Sequence, residues 1–181
     1  MTGHAFPETF RTLRRLILLR HAEAKSAVLG GDDFARPLTP GGRVDAALIG
    51  RVLAADGVIP DRVLLSSAQR TTETWSEVQA AFPSVEGDAR RELYLADARA
   101  LLRAIEGEDD AEVVMVIGHN PGIHSLAVHL LRQGSASPSI IAKFDRGFPT
   151  ATAAVFAIDL AGRASYDGLY LVSEHGGGGS E

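Results

Sequence analysis

The chain has 181 residues, 45% hydrophobic and 23% charged, which fits one globular domain with a sizeable core. Its 18 basic and 23 acidic residues give a net charge of −5, which argues against a nucleic-acid partner or an anionic membrane surface. No apolar run approaches the roughly 18 residues of a membrane span, and the N-terminal segment lacks the apolar stretch of a secretory signal. We therefore expect a cytoplasmic protein.

Several kinds of chemistry are excluded by composition. Cysteine is absent, so there is no disulfide framework, thiolate zinc site or cysteine nucleophile. The two lysines, Lys25 and Lys143, do not follow a glycine, so the phosphate-binding P-loop pattern is missing. The histidine and carboxylate spacings match no metal-ligand motif, and we expect neither a metal nor another cofactor. Phosphate chemistry would have to use arginine, histidine and backbone amides.

The first half of the chain predicts alternating strands and helices. Residues 15–20 form a short apolar run that is typical of a buried strand. A helix opens at Pro40 and ends before Gly57. Residues 62–66 predict a second buried strand, and residues 69–81 a second helix. The core face of the first helix is predicted to carry Val44, Ala47, Leu48, Val52 and Leu53.

The second half continues this alternation. Residues 88–93 predict a third, more polar strand, and residues 97–106 a helix. The unbroken apolar run at 112–118 is the clearest strand signal in the chain. A helix follows from Pro121, at its first position, through Leu131.

The order of these elements predicts the fold class. Residues 151–159 and 166–172 predict two late strands, interpreted as an antiparallel pair. Strand–helix alternation over the rest favours a single-domain α/β three-layer sandwich, with a mostly parallel sheet and helices on both faces. We assign residues 1–175 to this domain and residues 176–181 to a flexible Gly-rich tail.

Reactive side chains follow several of the predicted strands. The first strand runs into Arg20 and His21, and Arg70 lies in the first turn after the second strand. The third strand reaches Glu92, and the strongest strand ends next to His119. Ligands of open parallel sheets bind beyond the carboxyl ends of the strands. We therefore expect these side chains to converge at one edge of the sheet.

Two arginines and two histidines at one edge suit phosphoryl transfer. Guanidinium groups bind phosphate oxygens in bidentate geometry, and their charge keeps a neighbouring histidine neutral and nucleophilic. Asn120 and Pro121 are interpreted as an N-cap and first helical residue, whose turn presents backbone amides to an anion. The pattern predicts a histidine nucleophile whose chemistry needs no metal.

Three ordered motifs resemble those of the histidine phosphatase superfamily, which has the phosphoglycerate mutase-like fold. LLRHAEAKS resembles the segment with the phosphorylated histidine, SSAQRTTET the second-arginine segment, and VIGHNPGIHSLA the second-histidine segment. FDRGFPTATAAVFAID is similar to a segment of the short, SixA-like phosphohistidine phosphatases. The resemblance spans residues 15–175. In this chain Ala22 replaces the usual glycine of the first motif, and Ala68 and Gln69 the usual proline and leucine of the second.

The resemblance implies a set of roles. His21 is expected to form a transient phosphohistidine, with Arg20, Arg70 and His119 binding the phosphoryl group. Glu92 lies where larger relatives carry a general acid, and it is the weakest member of the predicted site. The implied activity is hydrolysis of phosphohistidine on a protein.

Two alternatives stay open. The same site could belong to a small-molecule phosphomonoesterase, or to a catalytically silent module that binds a phosphoprotein. Fold alone does not separate these functions, because function depends on the site. Turnover of p-nitrophenyl phosphate distinguishes the silent module from the enzymes.

Overall fold

In the computed structural model, which describes residues 12–178, strands and helices alternate along the chain. The strands are β1 (Arg15–Arg20), β2 (Arg62–Ser66), β3 (Gly87–Arg90), β4 (Val113–Gly118), β5 (Ala153–Ile158) and β6 (Ala164–Tyr170). The helices are α1 (Pro40–Ala55), α2 (Gln69–Val78), α3 (Ala98–Glu106), α4 (Gly122–Gln133) and α5 (Pro138–Asp145). No helix in this part of the chain has both the length and the apolar character needed to cross a membrane.

The six strands form one mixed sheet in the order β3-β2-β4-β1-β5-β6. β4 pairs in parallel with both β1 and β2, and β2 pairs in parallel with β3. β5 runs antiparallel to β1 and to β6. The mostly parallel sheet with a late antiparallel pair is therefore confirmed. The carboxyl ends of the four parallel strands and the start of β5 meet at one edge.

Helices cover both faces of the sheet, as a three-layer sandwich requires. Leu16 and Leu18 of β1 belong to the core that α3, α4 and α5 complete. Ile17 and Leu19, on the opposite face, belong to the core that α1 and α2 complete. Because strand side chains alternate between faces, a strand buried on both sides is apolar throughout. This explains why the run at 15–20 predicted its strand correctly.

Most predicted elements differ from the structure by one or more residues at their ends, and one helix was missed. The third strand stops at Arg90 rather than residue 93, because Arg91–Leu93 form a 3-10 turn that buries Leu93 against α3 and α4. The second helix ends at Val78 and continues as a 3-10 turn, Gln79–Ala81. Helix α5 was not predicted, and only Phe144 of it is fully buried.

The buried face of α1 also differs from the prediction. Val44, placed on the core face, is 64% exposed. Leu53 is buried as predicted, and the other buried positions are Gly42, Asp45, Ala46, Ile49 and Gly50. A Cβ on Gly50 would lie only 3.0 Å from the Val78 carbonyl oxygen, so the helix approaches α2 closely at Gly50. A prediction based on the spacing of apolar side chains therefore placed part of the buried face of α1 incorrectly.

The end of the described chain packs against α1. The Gly177 N–H donates to the Val172 carbonyl, and the Gly178 N–H donates to Asp45 Oδ1. Residues 179–181 of the expected tail lie outside the described residues. The flexible tail stays a prediction.

Replacing Ile49 with alanine should lower the free energy of unfolding by about 2–5 kcal/mol, because the side chain is fully buried between α1 and the sheet. The matched control on the same helix, Val44→Ala, should change it by no more than about 0.5 kcal/mol. Urea denaturation of the two variants measures both values. Equal losses would contradict the assignment of the buried face.

Candidate active site

A cleft of about 680 Å³ opens at the edge where the parallel strands end. β1 and α2 contribute to it, together with the loop between β1 and α1, the residues that follow β4 and the loop before β5. It is lined by Arg20, His21, Glu23, Ala24, Ser26, Asp33, Arg36, Arg70, Leu95, His119, Asn120 and Thr150. Four of the five predicted site residues thus lie together. The parallel pairing of β1 and β2 with β4 brings them to this edge.

His21 is oriented by a hydrogen bond to the next residue. Its Nδ1 lies 2.7 Å from the Ala22 carbonyl oxygen. A carbonyl only accepts, so Nδ1 carries the proton and the Nε2 lone pair is free. The ring is 8% exposed, and burial lowers its pKa to about 4, aided by the charges of Arg70, Arg20 and Arg36. At neutral pH His21 is therefore an uncharged imidazole.

Ala22 occupies the position of the usual glycine in the first motif, LLRHAEAKS, and its backbone is not strained. The non-glycine residues with positive φ in the described chain are Leu95, Ser135 and Ala151, so Ala22 has an ordinary backbone conformation. Its N–H donates to Thr74 Oγ1 of α2 at 3.0 Å. A methyl side chain therefore needs no unusual backbone geometry here.

Arg20, which is half-buried, and Arg70, which is buried, supply two positive charges. Arg20 Nη1 donates to the Phe148 carbonyl at 2.8 Å. Arg70, only 2% exposed, donates from Nη1 to the Asp33 carbonyl at 2.6 Å and from Nη2 to Asp33 Oδ2 at 3.1 Å. The Nε–H of each arginine is buried without a partner among the described residues. Both groups therefore keep donor capacity for an anion.

Asp33 is the main counterion of the cleft, and it was not among the predicted site residues. Tyr94 donates its hydroxyl proton to Asp33 Oδ2 at 2.6 Å, and Arg36 Nε donates to Oδ1 at 2.8 Å. The hydrogen bond from Tyr94 holds the pKa of Asp33 well below its usual range. The hydrogen bond from Arg36 and the charges of Arg70 and Arg36 act in the same direction. A buried arginine needs an anionic partner. The need for such a partner, together with the acidic pair Asp32-Asp33 in the loop, was the signal in the sequence that could have identified Asp33.

His119 faces the nucleophile. Its ring centroid lies 5.2 Å from that of His21, and its Nε2 lies 2.8 Å from Ser66 Oγ. Burial lowers the pKa of His119 to about 3, with His21 and Arg70 acting in the same direction. The ring is 3% exposed, and Nδ1 has no partner among the described residues. His119 is therefore a second neutral imidazole in the cleft.

The predicted N-cap role of Asn120 is wrong. Helix α4 begins at Gly122, and Pro121 takes the cap position. The Asn120 side chain instead donates from Nδ2 to the Phe148 carbonyl at 3.0 Å. That carbonyl also accepts from Arg20, so Asn120 lines the cleft and helps hold the loop before β5.

Glu92 is the one predicted site residue that does not reach the cleft. It is exposed, in the 3-10 turn Arg91–Leu93, because the chain has already left the sheet at Arg90. The residues after this turn, Tyr94 and Leu95, contact the site instead: Tyr94 binds Asp33, and Leu95 lines the cleft. Nothing in this geometry brings the Glu92 carboxylate near His21.

The donor set suits a tetrahedral oxyanion. Arg20 Nε, Arg70 Nε and His119 Nδ1 are buried nitrogens of cleft residues, each lacking a partner in the described chain. The described residues hold no cluster of three or more histidines and carboxylates able to bind a metal ion. Phosphoryl oxygens are acceptors that match such donors.

The family assignment follows from this site and from sequence similarity. Residues 16–95 match the family described as the histidine phosphatase superfamily (branch 1). A structure of a candidate phosphohistidine phosphatase SixA from Nakamurella multipartitia is 34% identical, with a TM-score of 0.72, over 87% of this chain and 95% of that chain. The chain belongs to the histidine phosphatase superfamily, and the resemblance inferred from its motifs is confirmed.

Two further solved structures describe its place in that superfamily. A candidate SixA from Agrobacterium tumefaciens is 29% identical, with a TM-score of 0.78, over 88% of this chain and 98% of that chain. A structure of the protein histidine phosphatase SixA complexed with tungstate is 25% identical, with a TM-score of 0.69, over 89% of this chain and 99% of that chain. The fold is that of the SixA neighbours, and the chain is a phosphatase of this superfamily.

We expect His21 to titrate with a pKa near 4 rather than 6.5, since burial disfavours the imidazolium. Proton NMR of the imidazole signals, assigned with a His21→Gln variant, measures this value, and a short peptide of the same local sequence is the control. The unfolded chain takes up this proton near pH 6.5, so His21 should make the free energy of unfolding decrease as pH falls from 6.5 toward 4. A His21 pKa near 6.5 would contradict the neutral, buried nucleophile.

Proposed function

We propose that this chain hydrolyses phosphohistidine on proteins through a phosphohistidine intermediate on its own His21. The observation that carries the proposal is the hydrogen bond from His21 Nδ1–H to the Ala22 carbonyl. That bond leaves Nε2 as an uncharged nucleophile among Arg20, Arg70 and His119. A nucleophile needs a free lone pair, and this arrangement provides one at neutral pH.

In the first step Nε2 of His21 attacks phosphorus in line with the leaving nitrogen. The Nε2–P bond forms and the P–N bond of the substrate breaks. The substrate ring, which carries a proton on its other nitrogen, keeps the bonding electron pair and leaves as neutral imidazole, and the positive charge passes to the phosphorylated His21 ring. Arg20, Arg70 and His119 hold the three equatorial oxygens, which carry the charge of the transition state. Positioning and preorganised donors supply most of the rate acceleration.

In the second step water attacks the phosphohistidine. The new P–O bond forms and the P–Nε2 bond breaks, which releases inorganic phosphate. His21 returns to the neutral state, with its proton on Nδ1 facing the Ala22 carbonyl. The same donors serve both steps, because the phosphoryl oxygens stay in place while the attacking and leaving atoms exchange roles.

The preference for phosphohistidine over phosphate esters rests on the leaving group. An alkoxide needs a proton donor, whereas a departing imidazole needs less protonation. The cleft has two carboxyl groups in the described chain: Asp33 is held ionised by its three donors, and Glu23 accepts a hydrogen bond from Thr39. The exposed Glu92 lies outside the cleft lining. These carboxyl groups therefore fit a substrate whose leaving group departs with little protonation.

The solved relatives support the same substrate class. Two of them are named as candidate phosphohistidine phosphatases, and a third is a protein histidine phosphatase that binds tungstate. Tungstate is a tetrahedral oxyanion like phosphate, so a cleft of this kind binds the group that the mechanism transfers.

The His21→Ala variant should lose turnover of p-nitrophenyl phosphate by about 10⁴-fold or more, because the nucleophile is removed. It should still fold and bind tungstate, since Arg20 and Arg70 remain. Base quenching of the wild type during turnover should trap radiolabelled phosphate on the protein as a base-stable, acid-labile adduct. The control His129→Ala changes an exposed histidine and should keep full activity. Near wild-type turnover by His21→Ala would refute the assignment.

Comparison of substrates tests the finer assignment. We expect kcat/KM to be higher for a phosphorylated histidine-containing carrier protein than for any member of a panel of sugar phosphates and nucleotides. The physical reason is that the two carboxyl groups among the described lining residues are engaged as acceptors, Asp33 by Tyr94 and the arginines and Glu23 by Thr39, whereas an alkoxide leaving group needs a proton donor. A metabolite that is hydrolysed far better than every phosphohistidine protein would refute this substrate class and leave the phosphatase assignment intact.

A further inference from the structure

Ser66, the last residue of β2, contacts the second histidine of the cleft from a fully buried position. Its hydroxyl oxygen has two hydrogen-bond partners. The Ala68 backbone N–H lies 3.2 Å away, and His119 Nε2 lies 2.8 Å away. A backbone N–H only donates, so the contact with Ala68 uses a lone pair of the serine oxygen.

Among the described residues, the other partner of the Ser66 hydroxyl is His119 Nε2, which must therefore accept the hydroxyl proton. If His119 carried its proton on Nε2, that N–H would donate to Ser66 and the buried hydroxyl proton would lack an acceptor. Buried donors without acceptors are unfavourable, because they lose hydrogen bonds to water and gain none. If Ser66 donates to Nε2, the hydroxyl proton and the Nε2 lone pair are both satisfied. The proton of the neutral ring then lies on Nδ1.

We infer that Ser66 is a positioning residue that fixes His119 as the Nδ1–H tautomer, so that an uncharged imidazole donates a hydrogen bond to a phosphoryl oxygen. His119 lines the cleft, and its Nδ1 is buried without a partner in the described chain. The Tyr94 ring packs edge-on against His119, with centroids 5.6 Å apart, and limits its rotation. The inference rests on the proposed function, because it needs a phosphoryl group in the cleft.

Nitrogen-15 NMR of the imidazoles tests the tautomer without any substrate. In the wild type, with signals assigned by a His119→Gln variant, His119 should show a protonated Nδ1 and an unprotonated Nε2. In Ser66→Ala the proton should shift partly or wholly to Nε2, because the donor that fixed it is gone. A proton on Nε2 in the wild type overturns the inference, even if Ser66→Ala fails to fold.

Kinetics with p-nitrophenyl phosphate test the consequence. Ser66→Ala should lower kcat by about 10- to 100-fold through misplacement of the donor. KM should change less, because Arg20 and Arg70 still bind the phosphoryl group while the misplaced donor mainly affects the geometry of the transition state. The matched control Ser67→Ala alters the next residue, whose backbone N–H binds the Arg90 carbonyl, and should leave kcat unchanged. An unchanged kcat in Ser66→Ala overturns the inference.

These outcomes are distinguishable from failure of the proposed function. If the wild type hydrolyses p-nitrophenyl phosphate but no phosphohistidine protein, the substrate class is wrong, and the predicted effects of Ser66→Ala still apply. If the wild type shows no turnover at all, the catalytic proposal fails, whereas the tautomer measurement still decides the state of His119.

Discussion

The position of β4 between β1 and β2 is the constraint on which the site depends. Its parallel register aligns Arg20 with Gly118 and Leu65 with Ile117, so three strands end at the same level. The ladder extends one step beyond the strands, since the His21 N–H donates to the Gly118 carbonyl at 3.0 Å. A register shift of one residue would turn the alternating side chains to the opposite faces. The two apolar cores exclude that shift, so packing also fixes the histidines.

A second constraint is the balance of charge in a mostly buried cleft. Two neutral imidazoles cost less to bury than two imidazolium ions, and the neighbouring guanidinium groups favour the neutral forms. Asp33 compensates the deeply buried Arg70, and Tyr94 and Arg36 fix that carboxylate. The Nε donors of Arg20 and Arg70, which have no partner among residues 12–178, are left for a ligand. The same burial that lowers the histidine pKa values strengthens binding of an anion.

Much of this arrangement could be predicted from local patterns. The run at 15–20 is buried on both faces, and its apolar character identified β1 at its observed bounds. Three site residues each follow a strand that its apolar run had predicted: His21, Arg70 and His119. Their convergence could therefore be predicted from the expected parallel sheet alone. Val44 and Asn120 were placed incorrectly because their roles depend on contacts elsewhere. Gly50 sets the approach of α1 to α2, and the Asn120 amide donates to the Phe148 carbonyl.

The sequence by itself determined the order of the six strands and of helices α1 to α4, the fold class and the residue types that meet at the strand ends. Apolar periodicity and strand-end position are local properties, whereas helix α5 was missed. Only the tertiary structure decided which carboxylates belong to the site. Tyr94 and Arg70 reach Asp33 across 61 and 37 residues of chain, whereas Glu92 turns out to solvent. It also decided the proton position on His21, through the Ala22 carbonyl, and the neutral state of both histidines. Protonation depends on burial and on partners from other elements, which residue spacing along the chain does not encode.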